Sequence, residues 1–257
     1  NNKEIIWARD YKYPGQTVEF TKLNIPATHA EDIDRCMYSP ILNLVEAFEY
    51  VDNREGGIKT KDAQGNYIFY NKPEDAFANK DARLYGSIIY PGAPFRGMPV
   101  PLQAGRKSLE NGVWVSETAK GGTTDAQGNV ITSFNGPTTT NEQFINKSGF
   151  FFRKFLDETP MSSTRGRNSD MWFPRFRFAE AVMIAAEASF ELNKQADAVT
   201  YINMVRERAG IQPLTVVTFD DIVQENRVEF AFEDHRYWDL KRWRIADKVW
   251  NGIPNDP

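Results

Sequence analysis

Residues 225–243, ENRVEFAFEDHRYWDLKRW, place nine formally charged and eight apolar side chains in nineteen positions. Two kinds of enzyme would use carboxylates crowded in this way. A di-iron bundle needs a Glu-x-x-His pair on each of two helices, but the residue three positions before His235 is Phe232. A glycosidase needs two carboxylates about 5 to 9 Å apart beside a cleft, which a sequence neither shows nor excludes. The chain contains no phosphate-binding loop, dinucleotide fingerprint or serine-hydrolase elbow, so it carries no catalytic signature.

The charged and apolar side chains of this segment share one face of a helix. At about 100° per residue, Val228 and Leu240 fall in the same sector as Glu225, Glu229 and Asp239. A solvated charged face, the commonest alternative, would separate the two kinds of residue. An isolated buried ion is costly. We therefore predict that the carboxylates are partly buried and paired with arginines.

The paired arginines must come from other segments, because Glu225 and Glu229 repel each other at i,i+4. The candidate partners are Arg175, Arg177, Arg206 and Arg208. We predict a charge network that locks three helices together as a rigid mount. Its predicted members are Arg177, Glu180, Glu187, Arg206, Arg208, Glu225, Glu229, Glu233, Arg236 and Asp239.

The chain has two regions of different composition. Residues 1–150 hold most of the glycines and prolines together with short β-rich runs, which predicts a loop- and hairpin-rich region. The repeated stretch DAQGN, at 62–66 and 125–129, predicts two hairpin turns. Residues 151–257 form the second region, in which helical periodicity begins after about residue 172. The fold class predicted is mostly α, with irregular loops and short β-hairpins.

Four helices are predicted from periodicity and capping residues. One follows Pro40 over residues 41–51, and two more cover 178–192 and 196–209. The next begins at Thr218, whose hydroxyl and the carboxylate three residues later suit a capping box. These helices must position the charged side chains.

Composition excludes several classes of function. The net charge is -4 and the pI is about 5.4, with no run of Lys or Arg, so neither nucleic acid nor an anionic membrane surface is an expected partner. The apolar stretches are too short for a membrane-spanning helix. One cysteine and two histidines do not form a zinc-binding pattern. No cofactor or metal is expected.

Several stretches together resemble the SusD/RagB family, the glycan-capturing surface lipoproteins of Bacteroidota. The specific matches are RFAEAVMIAAEA at 177–188, NMVRERAG at 203–210 and the crowded segment at 225–243. The resemblance implies a helical, TPR-like fold. The family usually has Gly where this chain has Asp234, which predicts a left-handed or kinked backbone at that residue. Family members are longer, so the chain is interpreted as the C-terminal portion of a longer protein.

The resemblance also implies a function. It implies non-catalytic binding of oligosaccharide or polysaccharide at the outer membrane surface, for uptake through a SusC-like TonB-dependent transporter. Membrane attachment is implied only through an N-terminal lipid anchor that this chain does not contain. Two alternatives stay open, a glycan-degrading enzyme on a helical scaffold and a TPR-like protein-interaction scaffold.

Sugar rings present flat C–H faces that stack on exposed aromatic side chains. Aromatic residues flanked by polar or turn residues in the first region are therefore the predicted ligand-binding residues. These are Tyr38, Tyr67, Tyr70 and Trp114. Three tryptophans of the helical motifs are instead predicted to pack inside the fold, namely Trp172, Trp238 and Trp243.

Overall fold

The computed structural model describes residues 3–32, 36–137 and 146–251. Its α-helices are α1 (Phe20–Asn24), α2 (Leu42–Val45), α3 (Ala82–Ser87), α4 (Phe178–Glu191), α5 (Gln195–Ala209), α6 (Phe219–Glu229), α7 (His235–Arg242) and α8 (Ala246–Val249). Short 3₁₀ helices cover Ala27–His29 and Pro73–Phe77. Its strands are β1 (Ile5–Arg9), β2 (Ile88–Ile89), β3 (Pro94–Phe95), β4 (Met98–Pro99), β5 (Arg106–Glu110), β6 (Val113–Glu117), β7 (Thr123–Thr124), β8 (Val130–Thr132), β9 (Phe151–Phe152) and β10 (Phe173–Arg177). The predicted class is confirmed, since helices form the main core and the strands occur in short pairs.

Helices α4 and α5 pack together as the centre of the second region. Small buried side chains of α4, Ala179 and Ala186, let α5 approach closely. Helix α5 buries Ile202 and Val205 in the same cluster. It ends at Gly210, whose φ of 71° is a left-handed conformation that glycine adopts without a Cβ clash. Both helices predicted from periodicity are confirmed.

Helix α6 begins with the predicted capping box. The Thr218 hydroxyl accepts the backbone N–H of Asp221 at 3.2 Å, and the Asp221 carboxylate accepts the backbone N–H of Thr218 at 2.8 Å. Along its length α6 contributes Ile222 to the α4–α5 cluster and Val228 to a second apolar cluster built mainly by residues before 151. Helix α6 therefore connects the two regions of the chain.

The helical segment that we predicted over 225–243 is broken into two helices. Between α6 and α7 the backbone of Phe232 has a φ of 68° and that of Asp234 a φ of 64°. The left-handed conformation predicted at Asp234 is confirmed, but the single helical wheel is wrong beyond Glu229. The break turns α7 away from the direction of α6. Trp238, predicted to pack inside, is consequently 65% exposed.

The helix predicted over 41–51 is only one turn long. Tyr50 lies beyond it, where it forms an isolated bridge with Lys80 and donates its backbone N–H to the Glu55 carbonyl at 2.8 Å. Phe48 is completely buried in the cluster that α6 completes. Tertiary burial of Phe48 and Tyr50 thus overrides the local helical periodicity.

Both DAQGN stretches form the predicted hairpin turns. In the first, the Asp62 carboxylate accepts the backbone N–H groups of the residues two and four positions later at 2.9 and 2.8 Å. Asp125 makes the equivalent pair of bonds in the second turn, at 3.0 and 2.8 Å. Gly65 and Gly128 each have a φ of 85°, which favours glycine at that position.

Strand pairing connects distant parts of the chain. Strand β1 pairs antiparallel with β10, directly before α4, and β2 pairs antiparallel with β9. The hairpin β5–β6 carries Leu109 opposite Trp114 in its register. Among the residues described, no helix is long and apolar enough to cross a membrane.

Removing the Thr218 hydroxyl tests the cap of α6. Thr218→Ala loses one side-chain acceptor for an N-terminal N–H group and its bond to Asp221, so we expect a loss of about 1 kcal/mol in the free energy of unfolding measured with urea. Thr200→Ala is the matched control, because the Thr200 hydroxyl bonds the Ala196 carbonyl within α5. We expect less than about 0.5 kcal/mol for the control, since alanine has the higher helix propensity. Equal losses for both variants would contradict this account of the cap.

Candidate functional site

A buried network of ion pairs lies at the centre of the molecule, where α5 and α6 meet residues of the first region. Arg206 on α5 is 1% exposed. Its guanidinium donates to Glu225 at 2.9 Å, to Glu49 at 2.8 Å and to the Gln212 carbonyl at 2.8 Å. The charge of the most deeply buried arginine is thus satisfied by two buried carboxylates and a carbonyl, as a buried ion requires.

The second half of the network surrounds Glu229. Arg177, which directly precedes α4, donates to the Glu229 carboxylate at 2.5 Å and to Glu233 at 2.8 and 2.9 Å. Arg208 on α5 also pairs with Glu229, and Lys154 pairs with Glu233. Burial raises the pKa of Glu229, but the charges of Arg177, Arg83 and Arg208 outweigh this effect and lower that pKa to about 2.

Arg83 joins the two halves, and sequence reasoning missed it. Its guanidinium donates to Glu225 at 2.5 Å, to Glu229 at 3.0 Å and to Asp81 at 2.6 Å. Arg83 and Glu225 are separated by 142 positions in the chain, so no local spacing relates them. Glu49 was missed for the same reason. The one available signal was Asp81, placed directly before a helical run, since a carboxylate at that position caps a helix. In the structure Asp81 does cap α3, because it accepts the backbone N–H of Arg83 at 2.9 Å.

Several predicted members of the network lie elsewhere. Glu187 pairs with Arg242, which also contacts Asp239 at 3.0 Å, and this cluster is close to the surface because α7 turns away after the break. Glu180 lies 3.7 Å from the His235 ring. Including these acids with the buried network was therefore wrong.

Two arginines also stand outside the network. Arg236 makes no ion pair within the described part of the chain, and burial, together with the neighbouring positive charge of Arg227, lowers its pKa to about 10. Arg175, a candidate partner, instead places its guanidinium 4.9 Å from the centre of the Phe173 ring. Arg236 follows the left-handed Asp234, where the chain leaves α6 and the network.

The network extends into the loop that carries the first hairpin. Glu49 accepts from Arg54 as well as from Arg206, and Arg54 contacts Asp221 on α6 at 2.5 Å. Two positions farther along, Gly56 is pressed against the preceding chain. A Cβ atom there would lie 1.8 Å from the Glu46 carbonyl oxygen, so only glycine fits.

A buried lysine completes the anchor of this loop. Lys80, 1% exposed, donates to the Phe48 carbonyl at 3.0 Å and to the Gly56 carbonyl. Burial is the main cause that lowers the Lys80 pKa to about 8. Farther along, the backbone N–H of Ile68 donates to the Thr60 carbonyl at 3.0 Å. The ion pairs and Lys80 thus hold the chain at Gly56, five residues before the hairpin at 61–67.

This hairpin and β5–β6 together form an exposed aromatic surface. The rings of Tyr67 and Trp114 meet edge to face at 5.3 Å, and those of Phe69 and Trp114 stack at 5.6 Å. Lys61 and Lys107 each lie within 5.4 Å of the centre of the Tyr67 ring. We call the surface of Tyr67, Phe69 and Trp114 the hairpin aromatic surface. It offers flat apolar faces beside two ammonium donors.

The four predicted ligand-binding residues lie in different places in the structure, and two of them come together. Tyr67 and Trp114 come together in the hairpin aromatic surface. Tyr70 makes no ring contact with Tyr67 or Trp114 within the described ranges and donates its hydroxyl to the Lys59 carbonyl at 2.7 Å. Tyr38 is 56% exposed, and no ring contact connects it to Tyr67 or Trp114 within the ranges described.

Phe69 is a member of the surface that sequence reasoning missed. It is 73% exposed, the largest exposed fraction of any large apolar residue described. The signal was present in the run YIFY, since alternate residues of an extended strand share one face. That rule places Phe69 beside Tyr67 and puts Tyr70 on the opposite side.

The acids of the site are held by positive charges and do not form a metal centre. Within the described ranges, no group of three or more His, Cys, Asp or Glu side chains is arranged to hold a metal ion. Arg177 and Lys154 lower the pKa of Glu233 against the effect of burial. Glu233 and Glu229, held ionised in this way, do not supply a proton near neutral pH, whereas burial raises the pKa of Glu225 against the charges of Arg83 and Arg206.

Sequence comparisons connect the chain to known proteins. The family model described as "SusD family" matches residues 3–257. A SusD-like protein of Formosa agariphila is 32% identical over 119 residues, which are 40% of this chain and 24% of that relative. A SusD-like protein of Bacteroides ovatus is 34% identical over 84 residues, covering 31% of this chain and 15% of that relative.

Solved structures show the same fold. A SusD-like carbohydrate-binding protein of Bacteroides fragilis superposes with a TM-score of 0.69 at 24% identity, covering 96% of this chain and 43% of that protein. A second SusD-like protein of the same species gives a TM-score of 0.62 at 22% identity, covering 96% of this chain and 44% of that protein. The chain thus spans less than half the length of these relatives.

Replacing Arg206 tests the buried half of the network. Arg206→Met leaves Glu49 and Glu225 buried with fewer positive partners, and we expect it to lower the free energy of unfolding by about 3 to 5 kcal/mol. Arg242→Met is the matched control, because the Arg242 side chain is 50% exposed in its pair with Glu187. The control is expected to lose at most about 1 kcal/mol. Similar losses in the two urea titrations would show that burial of the ion pairs has no energetic consequence.

Acid titration tests the pairing of Glu229. The pKa of Glu229 is about 2 in the folded protein, against an ordinary value of 4.5. A depressed pKa contributes stability that is complete above pH 4.5 and is lost as the pH falls toward 2. This contribution corresponds to roughly 3 kcal/mol.

The measurement is the urea unfolding free energy of the wild type and Glu229→Gln from pH 7 to pH 2.5. We expect the variant to be less stable at pH 7 and to lose less stability than the wild type below pH 4.5, because the group that titrates has been removed. Parallel profiles for the two proteins would refute the assignment.

Proposed function

The chain belongs to the SusD family, and on this basis we propose that it binds oligosaccharide without transforming it, through the hairpin aromatic surface. The observation that carries the proposal is the grouping of three aromatic rings, the exposed Tyr67 and Phe69 and the half-buried Trp114 between them. The B. fragilis protein that shares the fold is described as carbohydrate-binding. Because the chain covers 43% of that protein, its activity is carried over here as part of the proposal.

The chemistry of the surface suits a sugar. The C–H faces of a pyranose ring pack against aromatic rings, and its hydroxyl groups accept hydrogen bonds from ammonium groups. Phe69 presents the most exposed ring, while Lys61 and Lys107 lie beside Tyr67. The ion pairs and Lys80 anchor the chain at Gly56, close to the first hairpin, and anchoring of this kind lowers the entropic cost of binding.

Further parts of the proposal rest on the family. We propose that binding takes place at the outer membrane surface and delivers the sugar to a SusC-like TonB-dependent transporter. In this proposal the protein is attached to the membrane by a lipid anchor on its N-terminal part. Residues 1–150 supply the ligand-binding region and residues 151–257 the helical mount.

The acid cluster on α4 favours the enzymatic alternative to a limited degree. Glu180, Glu187 and Asp239 line a cavity of about 410 Å³, and burial raises the pKa of Glu180. A raised carboxyl pKa in a cleft is a feature of general acids. However, Arg242 pairs with both Glu187 and Asp239. The other carboxylate that lines the cavity, Glu191, lies eleven residues from Glu180 along α4, roughly 16 Å of helix rise, which is too far for a two-carboxylate mechanism.

Alanine substitutions on the hairpin aromatic surface test the proposal. We expect Phe69→Ala and Trp114→Ala each to weaken binding of a soluble polysaccharide about five- to thirtyfold, because each loses an aromatic stacking surface. The measurement is affinity gel electrophoresis on a panel of neutral and acidic polysaccharides, followed by calorimetry with the polysaccharide retained. Phe178→Ala, which removes a 51% exposed ring at the start of α4, is the matched control.

Two results would contradict the proposal. Retention of a polysaccharide that neither Phe69→Ala nor Trp114→Ala weakens would remove the hairpin aromatic surface from the binding site. New reducing ends that appear with the wild type and not with Glu180→Gln would establish the enzyme instead of the binding protein.

A further inference from the structure

A cavity of about 420 Å³ lies on a different part of the surface, between β10 and the break that separates α6 from α7. Its floor consists of phenylalanine rings in mutual contact. Phe20 meets Phe152 edge to face at 5.6 Å, Phe152 lies 4.2 Å from Phe232, and Phe155 lies 4.7 Å from Phe173. The floor is therefore a continuous apolar surface, half-buried and open to solvent.

The rim of the cavity is amphipathic and carries both signs of charge. Trp172, which we had predicted to pack inside, is 36% exposed and lines the cavity together with Tyr11. Arg175 and Asp234 are the charged residues that line it. Neither of them makes an ion pair or a side-chain hydrogen bond within the described ranges. Both are free to contact a ligand, and neither contributes to the ion-pair network.

Backbone strain is concentrated around this cavity. Three lining residues that are not glycine have left-handed backbones: Phe155 with a φ of 69°, Phe232 with 68° and Asp234 with 64°. This conformation is disfavoured for any side chain and is an outlier for a bulky ring. Residues of this kind persist where the surrounding structure holds them, and they cluster at binding sites. Here they direct two rings into the floor and a carboxylate to the rim.

We propose that this cavity is a second sugar-binding site, which takes one or two rings of a neutral oligosaccharide. The proposal rests on the proposed function. The ring faces pack on the phenylalanine floor and against Trp172, Asp234 accepts hydrogen bonds from hydroxyl groups, and Arg175 donates to ring or hydroxyl oxygens. The volume is within the range of small-ligand sites.

The rim distinguishes a sugar from a purely apolar ligand such as a fatty acid. An acyl chain would bury the phenylalanine floor but would give Asp234 no donor. A carboxylated sugar would pair with Arg175 but would also bring a second negative charge next to Asp234. A neutral sugar satisfies the carboxylate and the guanidinium together, because each hydroxyl group both donates and accepts.

The decisive variants are Trp172→Ala and Asp234→Gly, tested with neutral oligosaccharides of three to six residues cut from the polysaccharide that the wild type retains. Each variant is expected to weaken binding about tenfold in calorimetry. Asp234→Gly is also expected to keep or raise the melting temperature, since glycine adopts a φ of 64° without strain. Loss of affinity with unchanged or greater stability separates a contact residue from a structural one.

Matched variants make the outcomes distinguishable. Asp234→Asn keeps a residue that tolerates the left-handed backbone and should also weaken binding, while Trp238→Ala, at a 65% exposed tryptophan of α7, should not.

If Phe69→Ala weakens binding and the cavity variants do not, this second site is excluded and the proposed function stands. A second result would also exclude the sugar-binding site. It is uptake of a fluorescent fatty acid that Trp172→Ala abolishes while the affinity of this variant for oligosaccharide is unchanged. If no carbohydrate binds to the wild type, both proposals fail together.

Discussion

The buried carboxylates of α6 must be neutralised by positive charges that α6 does not supply, and this constraint shapes the whole molecule. Glu225 and Glu229 face the same direction one turn apart, are at most 3% exposed, and share Arg83. Arg206 and Arg177 approach them from α5 and from the end of β10. Because loss of any one partner leaves a buried charge, each segment restricts the position of the others.

The network also reaches the loop that carries the first hairpin. Its arginines and carboxylates pair with one another, so few of these charged groups are left unpaired to contact a ligand. Its outer members, Glu49 and Arg54, reach the loop in which Gly56 and Lys80 anchor the first hairpin. Rings displayed on short hairpins would otherwise be mobile, since an isolated two-stranded hairpin is only marginally stable. In the proposed function, the charges would contribute to recognition by anchoring the loop that leads to this surface.

The same break in the chain that ends α6 also creates the second cavity. Phe232 and Asp234 adopt left-handed backbones there, so α7 does not continue α6 and leaves Trp238 exposed. One ring is directed inward onto Phe152, and one carboxylate is left at the rim. The packing of Phe232 on Phe152 and the position of Asp234 at the rim thus both follow from the left-handed backbone at this break.

Local physical chemistry made much of the structure predictable. Helical periodicity predicted α4 and α5, the Thr218–Asp221 cap predicted the start of α6, and the repeated DAQGN stretch predicted the two turns. Each depends on residues within a few positions of one another, whose geometry a sequence determines by itself. The need for arginine partners was also visible, because charged and apolar side chains share a face.

Only the tertiary structure decided that Arg83 and Glu49 join the pairs, that Arg236 does not, and that Phe69 stacks on Trp114. The physical reason is that these contacts connect residues far apart in the chain, and such contacts depend on how the segments pack together.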